Sequence, residues 1–162
     1  WAGSYTDFDF KKISQTILDA GGVTDVKDYP EAQRPKFMTT ASAQYVMPLV
    51  NDTSLMLRLD AAYRSSINVG TEKFSNAGFV AAGIDYDNRY MNDLLKQKGL
   101  LTLNARATVM DIPVGPTKAA LSVWGRNITN QPRLNFIANT GITAAALFDD
   151  PATYGVDLSI EF

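Results

Sequence analysis

The sequence contains no cysteine and no histidine among its 162 residues. The absence of cysteine excludes disulfide bonds and thiolate metal sites. The absence of histidine removes the commonest general base and the commonest metal ligand. No nucleophile motif takes their place, so we expect a protein that is not an enzyme and that holds no metal and no cofactor.

An excess of positive charge and a long apolar run are also missing. The chain has 15 Lys and Arg against 17 Asp and Glu, a net charge of −2, which does not favour a nucleic-acid partner. No segment approaches the run of about 18 apolar residues that a transmembrane helix requires. A membrane is not thereby excluded, because barrel strands alternate apolar and polar residues and so have an unremarkable mean hydropathy.

Alternation with period two is the dominant pattern of the sequence. In the last strand-like segment one side carries Tyr154, Val156, Leu158, Ile160 and Phe162, and the other carries Gly155, Asp157, Ser159 and Glu161. The same alternation recurs in 37–45, 55–64 and 101–109. Such a pattern is typical of strands with one apolar and one polar face. It predicts an all-β protein with six antiparallel strands, at about 1–10, 36–47, 53–66, 98–110, 118–138 and 152–162.

The links between these predicted strands alternate in length. Residues 48–52 and 111–117 form short links, whereas 11–35, 67–97 and 139–151 form long ones. Long structureless loops are uncommon in compact soluble domains. Short turns at one end and long loops at the other are typical of outer-membrane barrels, in which the short turns are periplasmic. Within the long links, the spacing of apolar residues predicts short helices near 13–18 and 89–98.

Aromatic residues are spaced as the two interfaces of a membrane require. Phe37 and Tyr45, and likewise Tyr154 and Phe162, are separated by eight residues. At about 3.3 Å per residue and a tilt of about 40°, that separation spans roughly 20 Å of membrane, close to the apolar band of a barrel. A soluble β-sandwich also alternates, with its apolar side turned inward. Loop asymmetry, strand length and the terminal aromatics favour the transmembrane barrel.

Four motifs resemble the end of TonB-dependent outer-membrane receptors. Residues 120–130, ALSVWGRNITN, resemble the penultimate strand of that family, with its "WGxNLT(D/N)" pattern. Residues 151–158, PATYGVDL, resemble the closing "PRTYGVxL", with Ala152 where the family has Arg. Residues 101–106, LTLNAR, resemble the "LLNARxG" strand. The terminal Phe162, preceded by apolar residues at every second position, resembles the signal that the barrel-assembly machinery reads.

The resemblance implies that residues 1–162 are the C-terminal part of a barrel of about 22 strands that encloses a plug. Such receptors lie in the outer membrane of Gram-negative bacteria and import a scarce ligand, such as a ferric siderophore, with energy supplied through TonB. The chain opens at Trp1 in strand-like sequence without a signal peptide, so we interpret it as a fragment or processed product that lacks the plug. Its expected partners are outer-membrane lipid, the rest of the barrel, the plug and TonB.

Two groups of residues are candidates for function. Six polar residues are predicted to face the barrel lumen, where they contact the plug, water, one another or a ligand pathway: Arg58, Asp60, Arg64, Asn104, Arg106 and Arg126. In the long link, Tyr86, Arg89 and Tyr90 combine aromatic rings with charge, as an external binding surface does, although the pattern favours simple loop solvation over a binding surface. Two other functions stay open: a passive porin-type barrel and a secreted β-sandwich binding module.

Overall fold

The structure is a computed structural model that describes residues 1–20, 24–29, 33–69, 82–83, 95–139 and 144–161. Strands dominate this part of the chain: β1 (Ala2–Tyr5), β2 (Phe37–Pro48), β3 (Ser54–Arg64), β4 (Ile67–Asn68), β5 (Lys96–Gln97), β6 (Leu100–Val114), β7 (Thr117–Arg126), β8 (Leu134–Asn139), β9 (Ala144–Phe148) and β10 (Thr153–Glu161). One α-helix, α1 (Gln15–Ala20), and one 3-10 turn (Val26–Asp28) lie between β1 and β2.

Six of these strands form one antiparallel sheet in the order β1-β2-β3-β6-β7-β10. The six-stranded antiparallel arrangement expected from the alternation is therefore present. Chain neighbours lie side by side, apart from the short hairpins β4–β5 and β8–β9, which stand outside the sheet. Strands β1 and β10 are its two edges, so within the described residues the sheet is open.

The short links between strands lie at one end of the sheet, and the long links lie at the other. Pro48 pairs with Ser54, and Val114 with Thr117, so both short turns lie at one end, which we call the turn end. Tyr5 pairs with Phe37 and Arg126 with Thr153 at the opposite end, which we call the loop end. The expected asymmetry between short and long links is confirmed as a property of the sheet.

Two predicted strands were too long. The opening strand was expected over 1–10, but only Ala2–Tyr5 is paired, and the chain leaves the sheet after Thr6 donates its N–H to the carbonyl of Lys36. The strand expected over 118–138 ends at Arg126. Asn127 and Asn130 then adopt positive φ, which Asn tolerates better than most residues, and the remainder becomes β8 in a separate hairpin with β9.

Strand β6 is longer than predicted at its turn end. The residues expected to link it to β7 continue the strand as far as Val114, and only Gly115 and Pro116 remain as the turn. A bulge between Val109 and Ile112 accommodates Asp111 at φ 59°. Gly115 has φ 60°, the left-handed conformation that a tight turn assigns to glycine at little cost.

The described parts of the loop-end links contain α1, the 3-10 turn and the two short hairpins. The helix expected near 13–18 is present as α1, and it buries Leu18. The helix expected over 89–98 has its first six residues outside the described ones, and its end was wrong, because Lys96–Gln97 pair as β5 with Ile67–Asn68. The β4–β5 pairing brings the two ends of the longest link together.

A reciprocal aromatic–glycine contact joins the last two strands of the sheet. Trp124 is paired with Gly155, and Gly125 with Tyr154. A Cβ added to Gly155 would lie 2.3 Å from a ring carbon of Trp124, and one added to Gly125 would lie 2.9 Å from the ring of Tyr154. Each aromatic ring therefore covers the glycine of the neighbouring strand, the two rings lie on opposite faces, and neither glycine leaves room for a side chain.

The sheet has no second layer among the described residues. The main contacts between its strands run from each strand to its neighbours in the sheet. No large side chain in the described part of the chain is fully buried. The described residues of the sheet therefore form a single layer rather than a domain closed around a core.

Candidate functional site

One face of the sheet, the apolar face, is built from the apolar residues of the alternation. Directly paired residues share a face, so the register places the row Tyr45, Leu57, Ala107, Val123 and Val156 on it. The predicted C-terminal residues Tyr154, Val156, Leu158 and Ile160 lie on this face of β10, and Phe162 lies outside the described residues. Val156 is 67% exposed and Leu158 66% exposed. Large apolar side chains thus point outward across several strands.

Small residues on the apolar face leave a shallow groove of about 890 Å³. The small residues Ala43 and Ala107 and the larger residues Tyr45, Val123 and Tyr154 are among those that line it. Contiguous exposed apolar surface of this kind marks contact with a partner or a membrane. The groove fits apolar chains rather than a polar ligand.

The aromatic residues at the loop end form a line that runs obliquely across the strands. Ala43 of β2 is linked to Tyr154 of β10 by one row of pairs through Leu59, Ala105 and Gly125. Phe37 lies six residues nearer the loop end than Ala43, and Tyr63 lies four residues nearer than Leu59.

The angle between this line and the strands follows from strand geometry. From Tyr154 on β10 to Phe37 on β2, the line crosses four strand steps. Over the same steps it moves along the strand direction by six residues, the separation between Ala43 and Phe37. At about 3.4 Å per residue and 4.8 Å per step, the displacements along and across the strands are both about 20 Å. The aromatic line therefore lies at roughly 45° to the strands.

The opposite face, the polar face, carries the six residues that were predicted to face a lumen. Arg58 is directly paired with Arg106, and Asp60 with Asn104. Arg64 follows on the same side of β3 at the loop end, and Arg126 follows on the same side of β7. The structure therefore brings all six onto one face. Met38 and Val46 are exposed apolar exceptions on this face.

Carboxylates offset the like charges of the Arg58–Arg106 pair. Arg58 donates from Nε to Asp60 Oδ2 and from Nη2 to Asp60 Oδ1, each at 2.9 Å, which is the forked geometry that arginine prefers with a carboxylate. Arg106 forms a close ion pair with Asp157 of β10. Two arginines paired directly across strands repel each other, and a separate carboxylate for each reduces that cost.

The Arg106–Asp157 pair belongs to a network that spans the last three strands of the sheet. Arg106 also donates to Ser122 Oγ at 3.3 Å, and the Ser122 hydroxyl lies 2.9 Å from that of Thr108. Ser122 and Thr108 are buried between the charged side chains. The side chains of Arg106 and Asp157 stay about half exposed on the face of the sheet. The network links β6, β7 and β10 on the polar face.

A shallow depression of about 280 Å³ lies over these charges, and Arg126 forms part of its wall. The guanidinium carbon of Arg126 lies 5.1 Å from the centroid of the Trp124 ring, a cation–π geometry. Trp124 itself lies over Gly155. The aromatic–glycine contact thus fixes the position of one of the arginines.

Sequence reasoning missed the role of the asparagines that follow β7. The N–H of Asn127 donates to Asn104 Oδ1 at 2.9 Å, and Ala152 N–H donates to Asn130 Oδ1 at 3.0 Å. Thr129 Oγ1 donates to the Leu101 carbonyl at 2.8 Å. These hydrogen bonds connect residues 127–130, which follow β7, to β6 on one side and to the start of β10 on the other. Two asparagines shortly before Pro132 are a turn signal that could have ended the predicted strand at this point.

The external candidates Tyr86, Arg89 and Tyr90 lie outside the described residues. Over the ranges that the structure does describe, no helix combines the length and apolar character needed to cross a membrane. In the same ranges no three Asp or Glu side chains converge as metal ligands would.

Comparison with known proteins adds no family assignment. No protein-family model, no curated protein and no solved structure matches this chain.

Proposed function

We propose that this chain forms part of the barrel wall of an outer-membrane, TonB-dependent receptor, an active transporter that takes up a scarce extracellular ligand. The observation that carries the proposal is a single sheet with one uncovered apolar face and one charged face. Lipid would contact the apolar face, and the lumen with its water and plug would contact the polar face. A charged side chain at the bilayer midplane is costly on the lipid side and tolerated on the lumen side.

The oblique aromatic line supports the membrane part of the proposal. Aromatic residues collect where a barrel meets the membrane interface, and barrel strands tilt by about 35–45°. If the line through Phe37, Tyr63 and Tyr154 marks the outer interface, the strands cross the membrane at roughly 45°. The short turns would then be periplasmic and the long links external.

The open edges call for further strands. Strands β1 and β10 each present a row of unpaired N–H and C=O groups along one side within the described residues. Each such group costs several kcal/mol in hydrocarbon, so only a closed barrel is stable there. We propose that both edges pair with the remainder of a barrel of about 22 strands.

The four motifs of the last 65 residues support a TonB-dependent receptor over a generic barrel. The WG and YG motifs face each other across β7 and β10, and the asparagines after WG bind β6 and β10. The WG and YG motifs thus lie together at the loop-end corner of the sheet. The proposed receptor takes its energy through TonB, and a ferric siderophore or a similar scarce nutrient is the class of ligand.

A matched pair of substitutions tests the membrane face. Ala41 and Ser42 are neighbouring, small and exposed, and they lie on opposite faces midway along β2. We expect Ala41→Arg, on the lipid side, to cost about 2–4 kcal/mol and to impair assembly into the outer membrane. Ser42→Arg, directly paired with Asp60, should assemble normally. Equal assembly of the two variants in the membrane fraction would contradict the proposal.

A passive porin is the second candidate, because the two faces of the sheet fit either barrel. Conductance separates the two. In planar bilayers the whole protein should be closed if a plug fills its lumen, and it should conduct ions continuously if it is a porin. A secreted β-sandwich would need a second sheet against the apolar face, and it would dissolve in buffer without detergent.

A further inference from the structure

A pocket of about 380 Å³ lies at the loop end of the sheet, apart from the charges at the middle of the polar face. It is formed where β3 and β6 end, beside the β4–β5 and β8–β9 hairpins. Its lining includes Arg64, Lys96, Gln97, Lys98, Leu134 and Phe148. Arg64 is on the polar face, the side that the proposed barrel would enclose.

The charge of the described lining is all of one sign. Arg64, Lys96 and Lys98 are its charged residues, and no carboxylate is among the described residues that line the pocket. Asp149 acts electrostatically on Arg64, but its carboxylate is already bonded by Arg133 at 3.3 Å and by Asn135. Lys96 and Lys98 form no ion pair with any described residue. The pocket therefore has uncompensated positive charge.

The hydrogen-bonding groups of the lining are almost all donors. Arg64 Nη2 donates to Gln97 Oε1 at 2.6 Å, and the Leu101 N–H donates to Gln131 Oε1 at 3.2 Å. Both amide oxygens are thus used within the protein, which leaves the amide NH₂ groups and the ammonium groups available.

Arg64 itself is incompletely bonded. Its Nε is buried and has no acceptor within the described residues, and its Nη1 reaches only the Ser65 carbonyl, at 3.5 Å. A guanidinium has five donors in a fixed fork that matches a carboxylate or a phosphate. An anion in the pocket would supply acceptors that the protein does not.

Apolar residues complete the walls on the hairpin side. Leu134 is 3% exposed, whereas Phe148 is 50% exposed. Gly99, which also lines the pocket, allows the Tyr63 hydroxyl to approach the backbone, since a Cβ there would lie 2.8 Å from that hydroxyl. A ligand would place its charged group near Arg64 and Lys98 and an apolar or aromatic part against Phe148.

We infer that the loop-end pocket binds a carboxylate or phosphate group carried on an aromatic or aliphatic body. The inference rests on the proposed function, because it names the chemical class of the ligand that the external side of the receptor would accept. A lipid headgroup has the same chemistry as a free solute. The position of Arg64 on the polar face favours the free solute.

Phenyl phosphate is a suitable probe, titrated into the whole protein in detergent and followed by calorimetry and ³¹P NMR. We expect saturable binding that Arg64→Gln weakens at least tenfold and Lys98→Gln weakens a few-fold. Arg64→Lys, which retains the charge but not the fork, should bind with intermediate affinity. Lys118→Gln removes the same charge at the turn end and should bind within twofold of the unmodified protein.

Absence of saturable binding, or an equal loss with Lys118→Gln, would overturn the inference. Binding to phosphatidylglycerol vesicles but not to phenyl phosphate would also overturn it, by assigning the pocket to lipid. Lys98→Gln keeps the test decisive if Arg64→Gln fails to fold, because Lys98 is exposed. The Ala41 and Ser42 variants report on the membrane face alone, so the failure of this inference is distinguishable from the failure of the proposed function.

Discussion

The two faces of the sheet share the same strands and the same register, yet they require different surroundings. On the apolar face Leu158 and Val156 point outward with nothing packed over them among the described residues. On the polar face Arg58 and Arg106 each have a carboxylate partner. Water around a lone sheet would suit only the polar face. Lipid around the whole sheet would suit only the apolar face.

The difference between the two faces indicates which surroundings the sheet requires. A soluble sheet covers its apolar face with another layer of the same domain. The main contacts in the described part of this sheet run between adjacent strands. The proposed barrel resolves the mismatch by placing lipid on one side and a plug or water on the other.

A depth series on β10 gives the largest expected effect and tests whether the apolar face contacts lipid. Leu158 lies four residues from Tyr154, about midway across the proposed apolar band. Leu158→Arg should cost about 2–4 kcal/mol of unfolding free energy, and Ile160→Arg, nearer the interface, should cost less. Denaturant titration of the whole protein in lipid vesicles measures both. Ser159→Arg is the control on the polar face, and similar small losses at all three positions would remove the distinction between the faces.

The aromatic–glycine contact gives an intermediate effect. Gly155→Ala would place a Cβ 2.3 Å from the Trp124 ring, so the ring must move. We expect a loss of about 1–3 kcal/mol, the usual range for overpacking, measured by the same titration. Ser159→Ala on the same strand is the control and should change little.

A double-mutant cycle identifies the source of the Gly155 effect. The penalty of Gly155→Ala should shrink when Trp124 is replaced by Leu, because contacting residues are not additive. A penalty that is unchanged in the Trp124→Leu background would show that the glycine is needed for another reason.

The smallest effect is expected from the Arg106–Asp157 ion pair. Both side chains are about half exposed, so Asp157→Asn should lower the free energy of unfolding only slightly if water reaches the polar face. The loss should decrease at high salt, because exposed charges are screened. A large loss that salt does not change would indicate a dry polar face covered by another part of the protein.

Much of the sheet could be predicted because side-chain alternation is a local property. The residues of 55–64 and 101–109 fall on the expected faces, since each strand presents alternate residues to opposite sides whatever its neighbours are. All six polar candidates share one face because the register aligns the polar sides of β3, β6 and β7. The strand ends were less predictable. The bulge at Asp111 and the break at Asn127 depend on backbone conformations with positive φ that alternation does not encode.

The candidate pocket at the loop end could not be predicted from spacing. Arg64, Lys98 and Phe148 lie far apart in the chain, and they come together only because β4 pairs with β5 and β8 with β9. The sequence predicted a strand across part of this region. Lys96 and Lys98 were expected at the end of a short helix.

The sequence by itself determined which side chains share a face, because a period of two leaves no choice once a strand forms. Only the tertiary structure decided which strands are neighbours and in which register. That register places Trp124 over Gly155, orients the aromatic line across the strands and gathers the cations around the loop-end pocket. The physical reason is that pairing between distant segments is set by hydrogen bonds and packing along the whole strand, which no local pattern records.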